Sequence, residues 1–517
     1  MVAPMSEGSE PQIEEDAALR RGRSSRGSWL TAAAVARATG GEVVQRGGVA
    51  ASVTTDSRGD CTGRVFVALR GRQHDGHAFL RDAVRRGAAG LLVDAPPPDV
   101  HSLLRQDLVG RDLAGRDLVG SASPFVVRVA DTTKALLDLA AEHRRRHRAK
   151  VVGITGSCGK TSTKEWLGAV LANAMPTVRS PGSFNNQIGV PLTLFGIEPK
   201  TRAAVVEIGT SAPGEIARLS DVARPDVGIV TCVAAAHLEG LGSVDGVARE
   251  KASLPMSLPE EGLCILNGDD AACRAMLEVT KAKVQFTSVT RAADWFATDV
   301  SFHALGTTFL LQGERPVTLP GLGTHNVYNA LAVIAAASHL GVAEEIILQT
   351  LASLPSTARR LEPKRVGGVT IFDDTYNMNP QSARAALQAL AGLSGPGRRI
   401  AVFGEMLELG NESVALHRAL GAEVVRTRHD LLVCVGAGAG PIADGALAAG
   451  MARCDVFLVP DVAAALALLR SAVVAGDRVL CKASRRVALD RLVDRLLAEL
   501  DATAPVPTEQ PSGGLET

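Results

Sequence analysis

The chain has 517 residues, 46% hydrophobic and 21% charged, and its 55 basic and 55 acidic side chains cancel to a formal net charge of +0. That length exceeds one ordinary domain, and about three are expected. A neutral balance recruits neither nucleic acid nor an anionic membrane surface, and the 3% aromatic content argues against stacking platforms for single strands.

The eight cysteines are scattered, with no C-x-x-C pair or metal-ligand spacing, which fits reduced thiols in a cytosol. No apolar run reaches the length of a membrane span and no signal-peptide core precedes the chain, so a cytoplasmic protein without a membrane span is expected. Residues 1–27 are polar, charged and Gly/Ser-bearing and read as a disordered tail. A helical pattern from Trp29 and a short strand at Glu42–Val44 open the first domain, 28–148. It continues with a strand–helix–strand unit: Val65–Leu69, a helix near Ala78–Arg86, and Gly90–Val93. The run DLVGRDLAGRDLVG, 107–120, is too brief for a solenoid and reads as part of a surface insertion at about 99–123. A helix from Thr132 to about Arg146 then leads out of the domain.

The stretch VVGITGSCGKTSTKEW, 151–166, places an apolar β-type run before two glycines, Lys160 and Thr161, and a helix-compatible segment. Glycines let backbone N–H groups close around phosphate oxygens, and the helix start adds partial positive charge. Lys160 can neutralise a β/γ-phosphate and the Thr161 hydroxyl can take a Mg²⁺ coordination site. Ile154 stands where the first glycine of G-x-x-x-x-G-K-[ST] belongs, so the loop departs from the ordinary P-loop spacing. The domain around it, 149–354, alternates strands (151–155, 203–208, 227–232, 263–266) with helices, the pattern of a mostly parallel, covered sheet. Glu207, His237, Asn267, Asp269 and Asp270 fall at or after strand ends, where such sheets bind ligands. Each has a plain structural alternative (a helix cap, an interior histidine, a turn); together they suit Mg²⁺ held by oxygen donors beside an imidazole. A third α/β segment, 355–501, has strands at 369–372, 400–403, 431–435 and 479–482, and a Pro/Gly/Thr-rich tail follows at 502–517. Its GAGAG stretch, 436–440, lacks the full dinucleotide fingerprint.

Nine ordered strings then carry a resemblance: TDSRGDCTGRVFVALRG with HDGHAF, GITGSCGKTSTKE, NNQIGVPLTLF, VVEIGTSAPGEI, AAAHLEGLGSVDGVAREKA, GTHNVYNALA, RRLEP, DDTYNMNP and GEMLELG. Over roughly 30–497, apart from the insertion, the chain resembles the Mur ligases of peptidoglycan synthesis, in particular the branch acting on UDP-N-acetylmuramoyl-tripeptide and D-alanyl-D-alanine. The resemblance implies an α/β N-terminal UDP-precursor domain, a central ATPase-type domain and a Rossmann-like C-terminal ligase domain in a monomer. It implies that Gly156, Ser157, Cys158, Gly159, Lys160, Thr161 and Ser162 hold ATP, with His325 and Asn326 on adenine, Arg360 at the γ-phosphate and Asp374 at ribose. Thr161, Glu207, His237 and Lys251 are implied as ligands of two Mg²⁺ ions, Lys251 as a carbamate; Lys160, His237, Lys251 and Arg360 form the catalytic set. Ser57 and Arg58 are implied as UDP contacts and Asn186 as a muramoyl-peptide contact.

Two departures stand out. Cys158 replaces the loop's usual serine or threonine, and STARR replaces a Pro-Gly-Arg string, which admits Arg359 as well as Arg360. The Asp-Asn-Pro-Arg string of the diamino-acid-adding enzyme is absent. Sister ligases adding a single amino acid, folylpolyglutamate synthase-like ligases, and a P-loop switch that hydrolyses nucleotide without ligation are the competing readings.

Overall fold

The computed structural model describes residues 28–71, 73–96, 123–303 and 306–502. The expected tail 1–27, the 107–120 repeat and residues 503–517 of the expected C-terminal tail lie outside the described residues. The first sheet comprises β1 (Glu42–Gln45), β2 (Ser52–Thr54), β3 (Arg64–Val67), β4 (Gly90–Val93) and β5 (Phe125–Arg128), in the order β1-β5-β4-β3-β2. All its pairings are parallel except β1 with β5. Helices α1 (Ala32–Thr39) and α2 (Thr132–Arg145) follow expected segments. The α2 N-terminus is capped by the Asp131 carboxylate, which accepts from the Thr133 and Lys134 amides. Leu136 and Leu139 of α2 share one core with Val65 and Val127 of this sheet and with Val151 and Val206 of the next, so apolar burial continues across the two.

The central sheet holds β6 (Lys150–Thr155), β7 (Thr177–Arg179), β8 (Ala203–Glu207), β9 (Val227–Val230), β10 (Leu263–Asn267), β11 (Lys283–Ser288), β12 (Trp295–His303), β13 (Gly306–Leu311) and β14 (Arg315–Leu319). Their order is β14-β13-β12-β11-β10-β9-β6-β8-β7. Strands β6 and β8 to β10 are buried along nearly their whole length, the reading of parallel strands covered on both faces. Helices α3 (Lys160–Ala174), α4 (Val244–Ser257) and α5 (Thr324–His339) carry Lys160, Thr161 and Ser162, Lys251, and His325 and Asn326 respectively.

The expected strand–helix alternation does not extend to Leu354. Strands β11 to β14 run consecutively, and β12, β13 and β14 pair antiparallel. The residues there alternate in burial, as suits a sheet solvated on one face, and Pro316 sits in the edge strand, where a missing N–H costs least.

The third sheet has β15 (Glu362–Val366), β16 (Val369–Asp374), β17 (Arg399–Phe403), β18 (Leu431–Val435), β19 (Val456–Val459) and β20 (Arg478–Lys482), ordered β15-β16-β20-β17-β18-β19 and parallel beyond the β15–β16 hairpin. Strict alternation divides its strands between two cores: Ala401 and Phe403 face one, Ile400 and Val402 the other. Helix α6 (Pro380–Ala391) begins with a capping box between Asn379 and Ser382.

The carboxylates in NGDD serve this frame. Asp269 accepts from the Ser288 hydroxyl at 2.8 Å, the Val289 amide at 2.8 Å and the Tyr328 hydroxyl at 2.7 Å, tying α5 to the loops after β10 and β11. Asp270 caps the following helix and accepts from the Val233 amide at 2.7 Å. Neither is positioned as a cation ligand. Burial alone would raise the Asp269 pKa, but the bonds from Thr290, Tyr328, Val289 and Ser288 outweigh it and hold it at about 2. Its contribution to stability is therefore complete above the unfolded carboxylate pKa of about 3.9 and disappears as the pH falls towards the folded value. Asp269→Asn is expected to cost roughly 2 kcal/mol, lowering the melting temperature by several degrees at neutral pH. Acid melts should show the variant losing less stability than the parent between about pH 4 and pH 2; parallel curves would contradict the assignment.

Candidate active site

The loop between β6 and α3 is shaped by two glycines. Gly156 has φ 147°, and a Cβ there would lie 1.8 Å from the Thr231 hydroxyl oxygen. Gly159 has φ 84°, and a Cβ would lie 2.4 Å from the Asn329 amide oxygen. Both positions combine a backbone disfavoured for L side chains with close approach, so only glycine fits. Helix α3 starts directly at Lys160, aiming free N–H groups and the positive end of its dipole at the loop. The Lys160 ammonium folds back to the Gly156 carbonyl at 2.6 Å, and Ser157 exchanges bonds of 3.0 and 2.9 Å with Ala234. Ser162 is buried in the first turn of α3.

Three elements converge on Thr161. Its hydroxyl donates to Glu207 Oε1 at 3.3 Å, from the carboxyl end of β8, and accepts from the Arg360 guanidinium at 3.2 Å. Asn185 donates to the same Oε1 at 2.9 Å. Glu207 is 1% exposed, and its Oε2 is buried without a hydrogen-bond partner. A buried carboxylate oxygen left bare is costly unless a cation meets it. Beside a threonine hydroxyl, this donor set fits Mg²⁺, which takes hard oxygen ligands.

Arg360 stacks on the Tyr376 ring at 4.1 Å, whereas Arg359 pairs with Asp490 at 2.5 Å. Of the two arginines that STARR offers, Arg360 is the one at the phosphate loop.

His237 has φ 55°, in the left-handed region, and its Nδ1 lies 2.6 Å from Glu408 Oε2 in the GEMLELG string. That contact leaves Nε2 as the ring nitrogen for a metal. Burial first, then the nearby Lys160 charge, lowers the His237 pKa and favours the neutral ring. Lys251, 1% exposed on α4, is brought down to about 7 by burial and the Lys160 charge. Its neighbour Glu250 accepts from the Gly214 and Ile216 amides, each at 2.7 Å, which locks the turn of α4 that presents Lys251. At the start of α5, His325 keeps a buried Nδ1 without a partner, and burial, aided by Lys482 and Arg360, lowers its pKa to about 4. Asn326 is buried and donates to the Leu322 carbonyl at 3.0 Å.

Residues 154–337 match the Mur ligase middle domain and residues 359–485 the Mur ligase, glutamate ligase domain. The UDP-N-acetylmuramoyl-tripeptide–D-alanyl-D-alanine ligase of Mycobacterium tuberculosis (strain H37Rv) is 36% identical over 91% of this chain and 98% of its own length. The chain belongs to the Mur ligase family. The enzyme of the same description from Bacillus subtilis is 34% identical over 86% of this Mur ligase and 93% of its own length. Among solved structures, MurF from Acinetobacter baumannii superposes with a TM-score of 0.79 at 30% identity, covering 91% of this chain and 99% of that one. MurF from Thermotoga maritima, solved with ADP, gives 0.74 at 26% identity, covering 87% and 98%. The three-part α/β architecture is thus that of the family.

Other residues of this Mur ligase stand as follows. Asp374, expected at a ribose, is 8% exposed and accepts from the buried Lys482 ammonium at 2.7 Å, so its carboxylate is engaged within the third sheet. Asn186 uses its amide oxygen to receive the Ile188 and Gly189 amides, while its neighbour Asn185 is the one that reaches Glu207. Ser57 and Arg58 follow β2 of the first sheet; Ser57 is buried, and Arg58 is exposed and paired with Asp56 at 3.0 Å. Glu408, Asn185 and Lys482 are the residues that sequence reading passed over, although the strings GEMLELG and NNQIGV contain two of them.

Gly156→Ala forces a Cβ into Thr231 and a strained φ, and is expected to abolish ADP binding while leaving the rest of the fold intact. Calorimetric titration with MgADP checks this; binding within about threefold of the parent, a difference below 1 kcal/mol, would refute the cradle.

Proposed function

We propose that this chain joins D-alanyl-D-alanine to UDP-N-acetylmuramoyl-tripeptide through an amide bond, using ATP. The observation that carries this reading is the meeting of Thr161, Glu207 and Arg360. It brings a phosphate loop, a bare acidic oxygen and an arginine from the third sheet's side of the molecule to one point.

The tripeptide's terminal carboxylate attacks the γ-phosphorus, ADP leaves, and an acyl-phosphate remains. Lys160 leaves the Gly156 carbonyl for the phosphate oxygens, and Arg360, held flat by Tyr376, offsets charge on the transferred group. The amine of D-alanyl-D-alanine, as its free base, then attacks the acyl carbon. The tetrahedral intermediate collapses with loss of phosphate, and the amine's second proton passes to solvent. Thr161 and Glu207 would hold one Mg²⁺, and His237 with Lys251 a second; when bound, these ions supply charge neutralisation for the phosphates. Lys251 acquires an oxygen donor if its neutral amine adds CO₂ as a carbamate, and its burial beside Lys160 favours the neutral amine. His237 serves as a ligand oriented by Glu408 and not as the amine's base. The Arg360 and Glu408 contacts both join the third sheet's loops to the nucleotide site, so closure of that part excludes water from the acyl-phosphate.

Phosphate release is expected to require both UDP-N-acetylmuramoyl-tripeptide and D-alanyl-D-alanine, with mass spectrometry showing the pentapeptide product. Equal release without either substrate would replace the ligase reading with a nucleotide switch. Lys251→Ala should lower kcat by about a hundredfold or more, with part of the loss recovered by a short-chain carboxylate. Full activity that bicarbonate does not alter would remove the carbamate.

A further inference from the structure

The ligase chemistry makes no use of the thiol in the phosphate loop. Cys158 sits between Ser157 and Gly159 and is partly exposed, whereas Cys232, just beyond the end of β9, is buried. Three contacts hold the two cysteines together. The Cys158 amide donates to Cys232 Sγ at 3.3 Å, Cys232 Sγ donates to the Cys158 carbonyl at 3.7 Å, and the Ser157 amide donates to the Cys232 carbonyl at 2.9 Å. These contacts set the Cys232 sulfur against the Cys158 backbone, the close approach that a disulfide between the two residues requires.

The partly exposed sulfur also carries a contact from the other side of the cleft. Asn379, the cap of α6, lies 3.3 Å from Cys158 Sγ and donates to the Ser157 carbonyl at 3.3 Å. Cys158 therefore belongs to the seam between the phosphate loop and the third sheet's helices.

We infer that Cys158 is an oxidative modification site in the phosphate loop and that Cys232 is its resolving partner, so that a peroxide converts the pair to a disulfide and disables nucleotide binding. The Cys158 thiolate attacks one peroxide oxygen, the O–O bond breaks, and a sulfenic acid forms with release of hydroxide. The Cys232 sulfur then attacks the sulfenic sulfur; the S–S bond forms, the S–O bond breaks, and the hydroxyl leaves as water with the Cys232 proton. Two electrons pass from the two thiols to the peroxide, whose second oxygen also ends as water. The neighbouring Cys232 first, then Asn379 and the charge of Lys160, lower the Cys158 pKa against the opposing effect of burial and enlarge the thiolate fraction that reacts. Bridging takes Cys158 Sγ away from Asn379 and fixes the loop to the end of β9. A cytosolic dithiol of this kind works as a reversible sensor and not as a structural staple.

The test treats the full-length chain with a few equivalents of hydrogen peroxide, maps thiols by non-reducing peptide mass spectrometry and measures ADP binding by calorimetry. Neither readout needs the peptide substrates, so the outcome is independent of the ligase reading. The expected result is a cross-link between Cys158 and Cys232 with ADP binding weakened at least about tenfold, both reversed by dithiothreitol. Cys232→Ser should bind ADP like the parent when reduced, and with peroxide and dimedone should give a Cys158 adduct and no cross-link. The inference is overturned if exposed Cys454 oxidises while Cys158 stays free, if Cys158 proceeds to the sulfonic acid in the parent chain, or if the cross-linked protein still binds ADP normally.

Discussion

A carboxylate buried to 1% exposure with one oxygen bare is the constraint on which this active site depends. Glu207 ends a strand buried on both faces, where backbone groups are already paired and water cannot reach Oε2. The hydrogen bonds from Thr161 and Asn185 satisfy only Oε1. An isolated buried charge costs several kcal/mol, a deficit that a cation at Oε2 would meet. Two cations lie beside it: Lys160 rests on the loop and Arg360 reaches Thr161 from the third sheet's side. The start of α3, the bare carboxylate of β8 and the third sheet's side of the molecule thereby meet at one threonine hydroxyl.

The same logic explains the seam between the central and third sheets. Arg360 with Thr161, Glu408 with His237, and Asn379 with Ser157 and Cys158 are all polar contacts. Polar, partly solvated seams open and close at lower cost than apolar ones. The joint between the first and central sheets is different in kind, because one apolar core runs through α2 and fixes them together. The first and central sheets form a firm base, and the third sheet's loops meet it through polar contacts.

Much of this was legible in the sequence because the relevant residues lie in contiguous strings. The glycine loop and Glu207 at its strand end declare themselves by local pattern, while Lys251 was singled out only through the family resemblance. What stayed hidden depends on contacts between distant residues. Nothing in STARR distinguishes Arg360 from Arg359; the distinction arises only when Asp490 takes one and Thr161 the other. The Glu408–His237 pair spans 171 positions, and the Lys482–Asp374 pair spans 108. The antiparallel end of the central sheet was missed because half-exposed strands, whose apolar residues are interrupted by polar ones, give a weaker signal than the buried parallel runs beside them.

The account stands or falls on the claim that this assembly passes a phosphoryl group to a carboxylate and not to water. The direct measurement is oxygen transfer: UDP-N-acetylmuramoyl-tripeptide carrying ¹⁸O in its terminal carboxylate is incubated with ATP, Mg²⁺ and D-alanyl-D-alanine, and the released phosphate is analysed by mass. One labelled oxygen in each phosphate, matched by loss of one from the peptide, is the predicted result. Unlabelled phosphate released at the same rate would contradict the account.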